Sequence, residues 1–207
     1  HAYPARTLHP ALPGAARPKT PASATGRCMR VSCHIPVFLR AHEAVEQGYD
    51  EIQHINQVML NFLVTDATDT RTLERFYLPA EKVAGMDFDS KPVQYYIAFL
   101  AQHKTVIDPT LTAFDFVRQR DGDMSKAYAA VADHMPPDVR RGFFQAQMKI
   151  PDDATAARNA KSYAKMDAFT GRMDKAGIPP VSATEVQTGF TFKRETDIYV
   201  TADLTPA

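Results

Sequence analysis

From Cys28 onward, apolar and polar positions come in short bursts, most of them closed by a proline or a glycine. "CMRVSCHIP" is a brief β-prone run ended by Pro36. "RAHEAVEQG" places Ala41, Ala44 and Val45 on one helical face, with Gly48 where a C-terminal cap belongs. "DEIQHI" then predicts a second strand. Strand, short helix and strand within about 25 residues is the signature of a right-handed crossover between two parallel strands. Further on, "SKPVQYYIAFLAQHK" carries Val93, Tyr96, Ile97 and Leu100 at helical spacing and runs into "TVIDPTL", a β-branched strand broken by Pro109. The stretches "MSKAYAAVADHM" and "PPDVRRGFFQAQM" follow, and a long helical pattern from Asp153 to Lys175 stops at Gly177. "IPPVSATE" predicts a fourth strand and "GFTFKRETDIYVTADL" a closing helix. Four strands alternating with helices predict the α/β class with a parallel sheet.

The first 27 residues have no hydrophobic period of either 2 or 3.6, and no acidic residue precedes Glu43. Five prolines fall within the first 21 positions, and the few large apolar side chains bury too little to offset chain entropy. Residues 1–27 are therefore expected to be a disordered tail. Its Ala-Pro-Arg-Thr bias fits a flexible linker or, alternatively, a reading-frame disruption just before Cys28. Residues 28–207 form the folded unit.

Composition narrows the classes. The chain of 207 residues is 44% hydrophobic and 23% charged, as a soluble globular protein with one sizeable core would be. Its 24 basic and 24 acidic side chains cancel, so no net field recruits nucleic acid or an anionic membrane. Apolar runs fall well short of the roughly 20 residues a membrane span requires. Cys28 and Cys33 form no disulfide framework and no zinc knuckle, and compartment stays open. No glycine-rich phosphate loop is present.

Chemistry enters at the strand ends. His34, His54, Asp108 and Glu185 each come at or near the C-terminal end of a predicted strand, which is where barrel enzymes place their reactive groups. That placement favours part of a (β/α)8 barrel over a doubly wound sheet. Imidazole nitrogen suits zinc and related divalent ions, and side chains on neighbouring strands converge on one point without the entropy of a loop.

The segments "VSCHIP", "EQGYDEIQHIN", "TVIDPT" and "AGIPPVSATEVQTGFTFKRE", in that order, resemble the C-terminal half of the metal-dependent amidohydrolase superfamily, nearest its imidazolonepropionase-like and dipeptidase-like branch. The resemblance implies about four βα units of a barrel that holds one or two divalent metals, usually zinc, and hydrolyses C–N bonds of small amide or dipeptide-like substrates. His34 and His54 fall where the family has ligands after its fifth and sixth strands. Glu185 falls where an aspartate after the eighth strand both binds metal and handles the proton of the attacking water. Ala183-Thr184-Glu185 replaces the usual Gly-Thr-Asp turn, Cys33 replaces the usual glycine, and no His-x-His pair occurs in the chain. Half a barrel further implies an isolated chain without activity, with an uncovered apolar interior that drives self-association. The competing expectation is a non-catalytic α/β module that keeps the architecture without a complete metal site. The excursions 56–104 and 112–176 do not declare what they recognise.

Overall fold

The β-prone runs pair in parallel and in chain order. The computed structural model describes residues 30–37, 39–125, 128–183, 185 and 189–204. The predicted tail, residues 1–27, lies outside the described residues, as does Cys28. Strands β1 (Ser32–Cys33), β2 (Glu51–Gln53) and β3 (Val106–Asp108) form one sheet in the order β1-β2-β3. Parallel neighbours cannot be joined by a tight turn. Accordingly α1 (Ala41–Glu46) connects β1 to β2, while α2 (Ile55–Leu63), α3 (Glu74–Lys82) and α4 (Lys91–Gln102) lie between β2 and β3. Beyond β3 come 3-10 turns at Ala113–Arg118 and Ala132–His134, then α5 (Pro137–Gly142), α6 (Asp153–Lys175) and α7 (Phe190–Thr201). The chain is thus α/β, and no helix among the described residues is long and apolar enough to cross a membrane.

Among the described residues of that stretch, 178–183 and 185 do not form the predicted fourth strand. They touch the free edge of β3 through a single parallel bridge, Ile107 to Pro180, with Val181 N–H donating to the Ile107 carbonyl at 2.8 Å. The next bonds of that ladder would need an N–H from Pro179 on one side of the bridge and from Pro109 on the other, and neither has one, so pairing stops after one step. The edge is nonetheless occupied where a fourth strand would run.

Helices α2 and α3 are elements that the hydrophobic pattern did not separate from the long excursion. Pro79 inside α3 argues against a helix because it removes the bond to the carbonyl of Arg75. That carbonyl instead accepts from Asn56 Nδ2 on α2 at 3.1 Å, so the side chain of one helix supplies the donor that the other lacks. Helix α6 begins where Asp152 accepts from Thr155 N–H at 2.7 Å and ends just before Gly177, whose φ of 81° reverses the chain.

Strand alternation divides the sheet into two unlike faces. Cys33, Ile52 and Ile107 are level with one another and share a face, and the two isoleucines are fully buried in one apolar cluster that also takes in Val45 of α1, Ile55, Val58 and Met59 of α2, Tyr96 and Leu100 of α4 and Met166 and Phe169 of α6. The other face carries Ser32, Glu51, Gln53, Val106 and Asp108. Ser32 Oγ donates to Glu51 Oε1 at 2.5 Å and accepts from Gln53 Nε2 at 3.2 Å, both on the exposed surface. This face is mostly polar, because the short strands spend their apolar residues on the helix-covered side.

Helices α6 and α7 meet so closely that a Cβ on Gly171 would overlap the carbonyl oxygen of Ala202. Gly171→Ala forces the helices apart and is expected to destabilise the protein by about 1–3 kcal/mol, the usual cost of overpacking. Urea unfolding checks this as a lowered midpoint with unchanged slope.

Candidate metal centre

His34 is level with Gln53 in the parallel register, one position short of His54. Regular alternation would therefore point His34 and His54 to opposite faces. The backbone of His54 breaks that alternation, with φ 69° and ψ 127°. Its N–H donates to the Asp108 carbonyl at 2.6 Å, and the next N–H, of Ile55, donates to the Pro109 carbonyl at 3.0 Å. These two bonds hold β2 against the end of β3 through the reversal, and the imidazole swings toward His34.

The result is a compact donor set. Nε2 of His34 and Nε2 of His54 lie 2.5 Å apart, and Glu185 Oε1 is 3.7 Å from His54 Nε2. Each residue offers one ligand atom, and these atoms all lie within 4.8 Å of one another. On its other nitrogen, His54 Nδ1 is 2.6 Å from Thr110 Oγ1. The His34 ring packs at a centroid distance of 4.5 Å and Phe114 at 5.8 Å, covering His54 from two sides. His54 is mostly covered, whereas Glu185 and His34 reach solvent.

Burial dominates the electrostatics of His54. It lowers the imidazole from its ordinary 6.5 to about 4; the Glu185 carboxylate opposes this, while His34 and the Arg75 guanidinium add to it. At neutral pH the ring is uncharged and its nitrogens can act as donors to a cation. Two imidazoles and a carboxylate are a common zinc donor set, with room for solvent at a further position. Tetrahedral bonds of ~2.05 Å would place the two Nε2 atoms about 3.3 Å apart. A bound ion would thus spread the two rings slightly, and the exposed His34 is free to move outward.

Asp108, the remaining strand-end residue, is not a member of that donor set. It is 4% exposed, and its Oδ1 has no hydrogen-bond partner. Burial, and then the carboxylates of Glu195, Glu51 and Glu185, push it from 3.8 up to about 7. Glu195 and Thr110 are residues that the sequence reading missed. The Glu195 carboxylate, fully buried on α7, accepts from Leu111 N–H at 2.7 Å and Thr112 N–H at 2.6 Å, fixing the loop that follows β3. A signal for it existed: Thr191, Glu195, Ile198 and Ala202 fall on one helical face, all of them buried. Thr110 carried no such signal.

No protein-family model matches the chain, and no curated protein does. Among solved structures, bottromycin amidohydrolase is similar with a TM-score of 0.55 and 18% sequence identity; the similarity takes in 89% of this chain and 39% of that one. At this identity the likeness concerns fold. This chain shares the helix and strand arrangement of part of an amidohydrolase and spans well under half of its length.

The two shifted groups give the metal-free protein a distinctive pH response. Asp108 binds its proton more tightly when folded, so its contribution to stability falls as pH rises from about 4 to about 7. His54 binds its proton less tightly when folded, so its contribution rises from about pH 4 to about 6.5. The slopes oppose each other over most of that window. Asp108→Asn removes the falling one and is expected to raise stability at pH 8 by up to about 4 kcal/mol while leaving pH 4 nearly unchanged. Denaturant midpoints measured across pH 4 to 8 in the presence of a chelator check both the gain and the exposed rising slope.

Proposed function

We propose that this chain is the metal-bearing C-terminal portion of a hydrolase acting on C–N bonds of small amide or dipeptide-like molecules. The observation that carries the reading is the convergence of His34, His54 and Glu185 at one end of a parallel sheet. The fold-level likeness to an amidohydrolase supports it. A partial (β/α)8 barrel, with the bridge at Pro180 marking the course of its last strand, is the architecture this reading assigns.

His34 and His54 would hold a divalent ion, zinc by the nature of the donors, with Glu185 as the oxygen ligand. When bound, such an ion polarises a carbonyl and lowers the pKa of water. The chain's own residues supply the rest. Burial keeps the His54 ring neutral, and the partly exposed Glu185 carboxylate can take a proton from an entering water and return it to a leaving amine. Glutamate reaches one methylene further than the aspartate this role usually employs, so turnover is more sensitive to its placement than ion binding is.

A second reading, a non-catalytic module that binds an ion without hydrolysis, is favoured by the lack of any His-x-His pair in the sequence. Titration with zinc and cobalt(II) separates the possibilities. One ion per chain is expected, with His34→Ala and His54→Ala each weakening it by about 100-fold or more, whereas absence of binding would end the hydrolase reading. In a barrel completed with the first half of a relative, with zinc supplied and N-acyl amino acids and dipeptides as substrates, Glu185→Gln is expected to lower kcat by at least about 100-fold and to change ion affinity much less. Ion binding with no hydrolysis even in that completed barrel would favour the second reading.

A further inference from the structure

We infer that Thr110 is a positioning residue for His54: its hydroxyl accepts the Nδ1 proton of the imidazole and so keeps the Nε2 lone pair facing His34 and Glu185. The inference rests on the reading of those three side chains as a metal centre. Thr110 Oγ1 lies 2.6 Å from His54 Nδ1 and 2.9 Å from the carbonyl oxygen of Pro109. A carbonyl can only accept, so the one hydroxyl proton goes to Pro109. Oγ1 is then an acceptor, and the atom opposite it must be a donor. A neutral imidazole carries a single N–H. Placing it on Nδ1 leaves Nε2 unprotonated, which is the nitrogen directed at the cluster.

The backbone carries a second, independent indication. Among the described residues, four non-glycine positions have positive φ: His54, Lys104, Thr110 and Asp203. Two of these four are the hydrogen-bonded pair at the site. Thr110, with φ 47° and 1% exposure, is β-branched in a left-handed conformation that glycine adopts without strain. The adjoining bonds from Leu111 and Thr112 to the buried Glu195 carboxylate hold it there. Glycine would satisfy the backbone but would remove the methyl group as well as the hydroxyl, which is why the serine variant below is needed to separate the two. A threonine held at positive φ with its hydroxyl against His54 Nδ1 points to the hydroxyl as the functional group.

Three substitutions and two readouts test this. Nitrogen-15 NMR of the metal-free protein at pH 8 reads the tautomer, with the His54 signals identified by their loss in His54→Gln. Zinc affinity is measured separately by competition with a chelating dye. The unaltered protein is expected to show the Nδ1–H tautomer. Thr110→Gly relieves the backbone, so it folds; it is expected to shift His54 toward Nε2–H and to weaken zinc roughly 10- to 100-fold. Thr110→Ser is expected to keep both properties. An Nε2–H tautomer in the unaltered protein would overturn the inference, as would weaker zinc binding in Thr110→Gly with no change of tautomer, or a serine variant that behaves like glycine. The expected tautomers without any zinc binding would uphold the role of Thr110 and overturn the metal-centre reading instead.

Discussion

The left-handed turn of the backbone at His54 is the constraint on which the site depends. Two residues that follow adjacent parallel strands one step out of level cannot share a face by alternation alone. An extended His54 would send its ring into the apolar layer beneath Ile52 and Ile107, where a polar side chain would lose its solvation without gaining a partner. The reversal costs about 1–3 kcal/mol for a residue that is not glycine. It is held by the bonds from His54 N–H to Asp108 and from Ile55 N–H to Pro109, both of which also join β2 to the end of β3. The same short stretch therefore closes the sheet, starts α2 and aims the imidazole.

Much of this architecture was legible because it rests on local signals. The faces of α1 and α4, the start and stop of α6, the strands at 32–33, 51–53 and 106–108 and the closing helix all follow from period, caps and punctuation. What escaped is non-local. Pro79 is compatible with α3 only because Asn56 on another helix satisfies the carbonyl it strands. The fourth strand failed because Pro179 and Pro109 lie where the ladder needs donors, a feature visible in "IPPVSATE" and "TVIDPTL" and outweighed there by their β-branched residues.

The candidate site divides along the same line. His34, His54 and Glu185 were legible as strand-end residues, and they do come together. Asp108 was legible as a strand-end residue too, yet its carboxylate belongs to a buried acidic group with Glu195. The positions of Thr110 and Glu195 come from the loop after β3 folding back on α7, some 80 residues away in the chain. No pattern within a single window encodes that contact; the buried face of α7 shows only that Glu195 is inside, not what it binds.

The acidic groups explain how the fold tolerates such a site. Glu51, Glu185 and Glu195 all raise the proton affinity of Asp108, so several carboxylates stand near the end of β3. For folding alone this is a cost, since burial disfavours the charged carboxyl and its Oδ1 has no partner. For a cation it is an attraction, and it acts on the side from which Glu185 and the neutral His54 already point. The helix-covered face has no part in this balance. Its isoleucines and the helices over them carry the stability, so the polar face can be arranged for ion chemistry at limited expense to the core. The period-2 alternation of three short strands is what keeps the two tasks apart, and His54 is the one place where the chain breaks that alternation to serve the site.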